Sequence, residues 1–296
     1  MLLVNIFCEV DDFCKQLDKY YEGSLSYKNY SNRGRKRKMN LNEVLTIMIF
    51  FHHSRMRTFK DYYIHYVCVH LQTDFPNLVS YNRFTELMKE AMFSLFLFTN
   101  YFCQKTSRMT GISFIDSTKL VVCHPLRISS NKVFKGLAAR GKSSTGWFYG
   151  FKLHFTINEH GEIMAFHLTP GNTDDRNEKV IDVVTRRLKG KLFGDKGYLS
   201  LKLFKKLYKR GINLITRIKK NMKNKILPLN DKILLRKRAI IESVNEKLKA
   251  FCYIEHSRHR SVDNFFGNIF SAISAYQFLP SKPSIQSRKL RLKGAL

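Results

Sequence analysis

The spacing of apolar residues changes once along this chain, at Gly111, and that change constrains the fold more than any other feature. Before it the pattern is helical. Leu41–Phe51 follows Asn40, a good N-cap, and Ser80 or Asn82 opens a second run through Leu87, Met92 and Leu95. After it, Ile112–Val122 is apolar and β-branched, as a buried strand is. Phe151–Asn158 and Glu162–Thr169 alternate on either side of Asn158-Glu159-His160-Gly161, which reads as a hairpin. Asn177–Leu188 has helical spacing, and Lys191–Gly194 is a short strand running into Asp195. Ser200–Arg210 is helical, with Ser200 as N-cap and Gly211 as its stop. Ile212–Ile218 is a further strand and Lys232–Phe251 a long basic helix. That order belongs to an α/β domain with a mixed sheet. The expected organisation is an all-helical N-terminal domain over residues 1–108, an α/β domain with flanking helices over 109–280, and a basic tail over 281–296.

Charge narrows the partner. Lysine and arginine number 52 against 23 aspartates and glutamates, a formal net charge of +29. A compact chain with that excess repels itself and is drawn to polyanions, nucleic acid first among them, because neutralised phosphates release counterions. A membrane surface is the competing polyanion. The apolar stretches Leu45–Phe51 and Phe93–Phe98 are too short for a bilayer core of about 30 Å, and Met1–Phe7 lacks the pattern of a signal peptide. Six scattered cysteines without a Cys-x-x-Cys pair read as reduced thiols, so a cytoplasmic protein is expected. Lys28, Arg33, Arg35, Lys36 and Arg37 lie in a polar stretch that reads equally as a solvated linker or a phosphate-contacting arm. Arg186–Lys249 holds 21 basic residues against Asp195, Asp231, Glu242 and Glu246, where an ordinary solvated face would mix signs.

Three acids occupy positions suited to phosphodiester chemistry, in which two divalent ions about 3.5–4 Å apart are held by a few carboxylates. Asp116 interrupts the apolar strand Ser113–Thr118, where a carboxylate needs a partner or a metal. Asp195 follows a strand end, the place where α/β sheets put ligands. Glu242 lies on the last long helix, and at 100° per residue Arg238 and Lys249 share its stripe. Each acid alone also reads as structure: a capped strand end, a turn aspartate, a helix-face ion pair.

Taken together, Phe114-Ile115-Asp116-Ser117-Thr118, Gly194-Asp195-Lys196-Gly197-Tyr198 and Arg238-x3-Glu242-x6-Lys249 resemble the motifs of insertion-sequence transposases of the aspartate-aspartate-glutamate (DDE) type. Their catalytic core is ribonuclease H-like. The signature around the third acid often begins with a tyrosine where this chain has Leu235. Phe134-Lys135-Gly136 through Gly150-Phe151-Lys152-Leu153-His154 is most similar to the insertion-sequence nine-eight-two family. The resemblance implies that Asp116, Asp195 and Glu242 bind two Mg2+ or Mn2+ ions, which hydrolyse a strand at the element's end and then join its 3′-hydroxyl to target DNA. It implies double-stranded DNA as partner and a homodimer or higher oligomer when assembled on it. A ribonuclease H-like nuclease without strand transfer, or a non-catalytic DNA-binding derivative, are the alternatives.

Weaker signals complete the reading. Gly136–Ser143 fits the pattern of a nucleotide-binding loop, but lacks the strand before and helix after that the pattern demands. A basic loop placing Arg140 and Lys142 on DNA phosphates is the better reading, with no nucleotide bound. Lys196 is a further DNA-contact candidate, and Trp147, the only tryptophan, could stack on a displaced base or anchor a loop. Cys252, His256 and His259 suggest zinc but lack a completing cluster. Asp174 and Asp175 fit helix capping better than metal binding, and Glu246 reads as a surface charge.

Overall fold

A computed structural model describes residues 1–22, 38–143, 146–217, 227–255 and 259–285. The basic segment 28–37, Ile218, His256 and the tail from residue 286 onward lie outside the described residues. The chain divides into two compact units. The first comprises Met1–Thr99, Phe251–Ile254 and Ser261–Phe278; the second comprises Asn100–Ala250, Glu255–Arg260 and Leu279–Leu296. No helix among the described residues is long and apolar enough to cross a membrane.

Every element described in the first unit is helical: α1 (Leu2–Glu22), α2 (Leu41–Ser54), α3 (Phe59–Asp61), a π-helical turn (Tyr62–Val67), α4 (Cys68–His70), α5 (Tyr81–Thr106, which runs on into the second unit) and α10 (Val262–Gln277). Asn40 opens α2 as expected, its backbone N–H donating to the Glu43 carboxylate at 2.6 Å. Ser80 precedes α5, its hydroxyl accepting from Arg83 N at 3.4 Å. α10 buries residues on every side, from Phe265 and Ile269 to Ala272 and Tyr276, so it sits inside its unit rather than on the surface.

The second unit is built on a mixed six-stranded sheet: β1 (Ile112–Cys123), β2 (Ala139–Ser143), β3 (Gly146–Asn158), β4 (Ile163–Pro170), β5 (Gly190–Gly194) and β6 (Ile212–Thr216). β3 pairs antiparallel with β1 along one edge, and its other edge is shared by β2 and β4. β5 and β6 continue parallel from the far side of β1. The helices α6 (Glu178–Val184), α7 (Leu201–Lys209), α8 (Leu229–Arg236) and α9 (Ala239–Glu246) flank it. Asn177 and Ser200 cap α6 and α7, and Gly211 takes a φ of 77° to turn α7 into β6. Ile115, Met164, Ile181, Val184, Leu192 and Leu207 pack between the sheet and these helices.

Two expectations require correction. Gly136–Ser143 is a loop only as far as Ala138: Ala139–Ser143 is strand, with Arg140 opposite Tyr149 and Lys142 opposite Trp147. Glycine permits this because the strand runs against the turn after β4. A side chain at Gly141 would stand 2.2 Å from the Gly171 carbonyl, and one at Gly171 2.7 Å from that of Ala139. Nor is Lys232–Phe251 one helix. α8 ends at Arg236, α9 starts after Arg238, and Lys247–Phe251 is a π-helical turn.

Candidate active site

Register brings the first two acids together. β1 and β5 are parallel neighbours with Phe114 paired to Phe193, so Asp116 and Asp195 each lie two residues beyond the pair, Asp116 within β1 and Asp195 just past the end of β5. Adjacent strands lie about 4.8 Å apart. β5 ends at Gly194, which leaves Asp195 extended and half exposed at the head of a 3-10 turn, Lys196–Tyr198. Asp116 is still within β1, and its side chain is 22% exposed.

The break between α8 and α9 supplies the rest. Arg238 sits at the N-cap of α9, 14% exposed, and its guanidinium faces all three acids. Nη1 lies 3.7 Å from Asp116 Oδ2, while Nη2 lies 4.0 Å from Asp195 Oδ1 and donates to Glu242 Oε1 at 3.2 Å. Acids distant in sequence therefore meet on one cation. Burial pushes the Asp116 carboxyl up to about 6, with the charges of Asp195 and Asp175 adding to the rise; Arg238 and the Ser117 backbone N–H oppose it. Two buried polar atoms at this point have no hydrogen-bond partner among the described residues, Arg238 Nη1 and the Tyr198 hydroxyl.

Hard oxygen donors converging on a shared positive charge, with polar atoms left over beside them, fit a divalent cation. As the side chains stand, no three acids, histidines or cysteines among the described residues close tightly enough to ligate one ion. Asp116, Asp195 and Glu242 would have to rotate inward to do so, with Arg238 giving way. Arg238 is thus turned toward carboxylates in this arrangement rather than presented to a phosphate. Lys249 is likewise committed: it lies in the π-helical turn, off the α-helical stripe assumed for it, with Nζ 2.9 Å from Glu255.

Four other expected contacts meet in one place. Arg140, Lys142, Trp147 and Lys196 line an open groove of about 620 Å³, with Lys152, Arg176 and the turn Gly171–Asp175 completing it. Trp147 is 67% exposed, so it anchors no core, and Lys142 Nζ stands 5.8 Å from its ring. Lys196 follows Asp195 directly, so the groove opens beside the acids.

Asp174 and Asp175 part company. Asp174 accepts from the backbone and guanidinium of Arg176, which holds its carboxyl down at about 2. Asp175 caps nothing, since Asn177 caps α6; its Oδ1 accepts from the Ser117 hydroxyl at 2.8 Å and from Lys152 Nζ at 3.3 Å. The sequence carried no mark of this, because the contacts join three segments. Cys252 and His259 belong to no metal-binding group among the described residues, and His256 lies outside them.

A profile of the family described as "Transposase DDE domain" matches residues 106–262, just over half of the chain. Among curated proteins no match is found.

Proposed function

The chain belongs to the transposase DDE domain family, and from that premise we propose that it cleaves DNA at the ends of a mobile element and joins those ends to target DNA. The carrying observation is the meeting of Asp116, Asp195 and Glu242 on the Arg238 guanidinium. We assign the three acids to two Mg2+ or Mn2+ ions, which when bound would activate an oxygen nucleophile and stabilise charge at phosphorus.

The chain's own groups do the rest. Arg140, Lys142, Arg176 and Lys196 would hold the phosphates of a strand laid along the groove, and Trp147 offers an exposed ring to a base. Arg238 would keep the acids from repelling one another until the cations arrive, then pass to a DNA phosphate. The antiparallel β1, β3 and β4 followed by parallel β5 and β6, with acids on two neighbouring strands and a helix, support a ribonuclease H-like core. We further propose membership of the insertion-sequence nine-eight-two family, DNA binding and assembly as the task of the helical N-terminal region, action as a homodimer or larger oligomer on paired ends, and a cytoplasmic place of work.

The test is a nicking assay on end-containing DNA with Mg2+ or Mn2+, followed by strand transfer with precut ends. Cleavage and joining are expected in the wild type. Asp116→Ala, Asp195→Ala and Glu242→Ala should retain DNA binding and lose both steps. Cleavage without joined product would make the protein a plain nuclease, and DNA binding without cleavage a non-catalytic derivative.

A further inference from the structure

Asp175 is the acid the three-carboxylate reading leaves out, and the fold takes trouble to place it. The turn that bears it is fastened at several points. Gly171 N donates to the Gly150 carbonyl at 2.9 Å, and Thr173 N to Pro170 at 3.1 Å. Lys152 Nζ donates to the Thr173 carbonyl at 2.9 Å. Gly141 and Gly171 meet so closely that neither tolerates a side chain. What this rigid turn presents is one carboxylate oxygen, to the Ser117 hydroxyl at 2.8 Å and Lys152 Nζ at 3.3 Å, with the buried His154 Nδ1 at 3.7 Å.

Strand alternation gives that contact its meaning. Ser117 follows Asp116 on β1, so their side chains leave opposite faces of the sheet. Ser117 pairs across with His154, and Lys152 lies two positions along on the same face. Asp175 therefore grips β1 from the face opposite the one where Asp116 meets Arg238. Tyr198, 2% exposed, brings its hydroxyl into the same neighbourhood, beside Ser117 and close enough for both Asp116 and Asp175 to act on it.

We propose that Asp175 is a fourth acid of the site, a positioning residue that fixes Ser117 and the part of β1 presenting Asp116, and that thereby raises the site's affinity for a divalent cation. This rests on the metal-dependent reading above. Groups that orient metal-binding carboxylates typically change metal affinity about 10- to 100-fold when removed.

The measurement is Mn2+ binding to the full chain without DNA, by electron paramagnetic resonance of free Mn2+, with far-ultraviolet circular dichroism and urea denaturation as controls for folding. Asp175→Asn should weaken Mn2+ binding by about tenfold or more. Ser117→Ala, which changes no charge, should weaken it by a smaller factor, and the double variant should lose less than the two effects combined. Lys152→Gln removes a cation but also a fastening of the turn, so it should change Mn2+ binding less than Asp175→Asn does. A mere ion pair predicts another pattern: Asp175→Asn and Lys152→Gln would lose stability alike, and Mn2+ affinity would stay within twofold of wild type. That result overturns the proposal. If Mn2+ uptake depended on Asp116 but not on Asp175, only this inference would fall; if the wild type took up no Mn2+, the metal reading would fall with it.

Discussion

His52 and Tyr198 are both buried polar side chains, one in each compact unit, and they are treated in opposite ways. His52 is 1% exposed and both ring nitrogens are engaged, Nδ1 with the Cys252 carbonyl at 2.6 Å and Nε2 with the Ser271 hydroxyl at 2.8 Å. Thr99 follows the same rule, donating to Leu95 O at 2.7 Å and lying 3.0 Å from Ser274 Oγ. Tyr198 is as deeply buried, yet its hydroxyl makes no well-formed hydrogen bond, with Ser117 its nearest candidate. Arg238 Nη1 and His154 Nδ1 each stand 3.7 Å from a carboxylate rather than bonded to it. A paired buried group gives back what its desolvation takes, and an unpaired one does not. In the helical unit His52 and Thr99 use interior polarity to fix packing, while His53 Nε2 and Asn264 Oδ1 lack a hydrogen-bond partner among the described residues. What sets the α/β unit apart is where such atoms lie: Arg238 Nη1, His154 Nδ1 and the Tyr198 hydroxyl gather beside the acids, as expected of a place that binds something.

The comparison breaks most visibly through catalysis. Asp116→Ala should reduce cleavage of end-containing DNA by at least about a thousandfold, on the order of 4 kcal/mol in the barrier. His52→Ala should leave the rate per folded molecule unchanged. A His52 variant that folds but does not cleave would erase the division of labour drawn here. Stability should answer the other way round. His52→Ala leaves a void and strips partners from the Cys252 carbonyl and Ser271, so urea denaturation should show a loss of about 3 kcal/mol.

A smaller effect tests the histidine beside it. Burial holds His53 down to about 4, opposed by a hydrogen bond with the Ala275 backbone. Above its unfolded value of about 6.5 the imidazole is neutral in both states. As pH falls from there toward 4, the unfolded chain takes up a proton that the folded one refuses, so stability is progressively lost in that window. Partial exposure tempers the size to roughly 2 kcal/mol. Denaturation midpoints at pH 7 and pH 4.5 measure it, and His53→Leu should flatten the difference. An unchanged slope in that variant would move the effect to another group.

How much of this was legible beforehand depends on whether the signal was local. Asn40, Asn177 and Ser200 announced their helices because a cap acts within its first turn. β1 and the β3–β4 hairpin declared themselves by composition and a glycine-closed turn. The acids were legible from spacing and strand ends, but their meeting on Arg238 was not. It follows from a helix break at Lys237 and Arg238, where uninterrupted basic residues suggested continuity. β2 was hidden because Gly141 and its neighbours look like a loop until Gly171 lies against them. Asp175 was weighed as a helix cap, and its actual role was hidden because its partners, Ser117 and Lys152, come from two other strands.

The smallest effect is the one that discriminates best. Tyr198→Phe removes one oxygen and leaves the ring, which the Ile115–Leu192 core needs. Deleting a hydroxyl that has a buried partner ordinarily destabilises a protein, because the partner is orphaned. Here only a poorly formed contact with Ser117 would be lost, and Ser117 keeps its bond to Asp175; burial beside Asp116 and Asp175 already pushes the phenol well above its usual range. The variant should therefore be more stable than the wild type by about 1 kcal/mol in urea. That gain belongs to the cation-free protein and should shrink as Mn2+ is added, since polar atoms held in reserve act only when the acids beside them are engaged. Were Tyr198→Phe to destabilise the protein by the same amount, the hydroxyl would be spoken for after all, and the contrast between His52 and Tyr198 would fall.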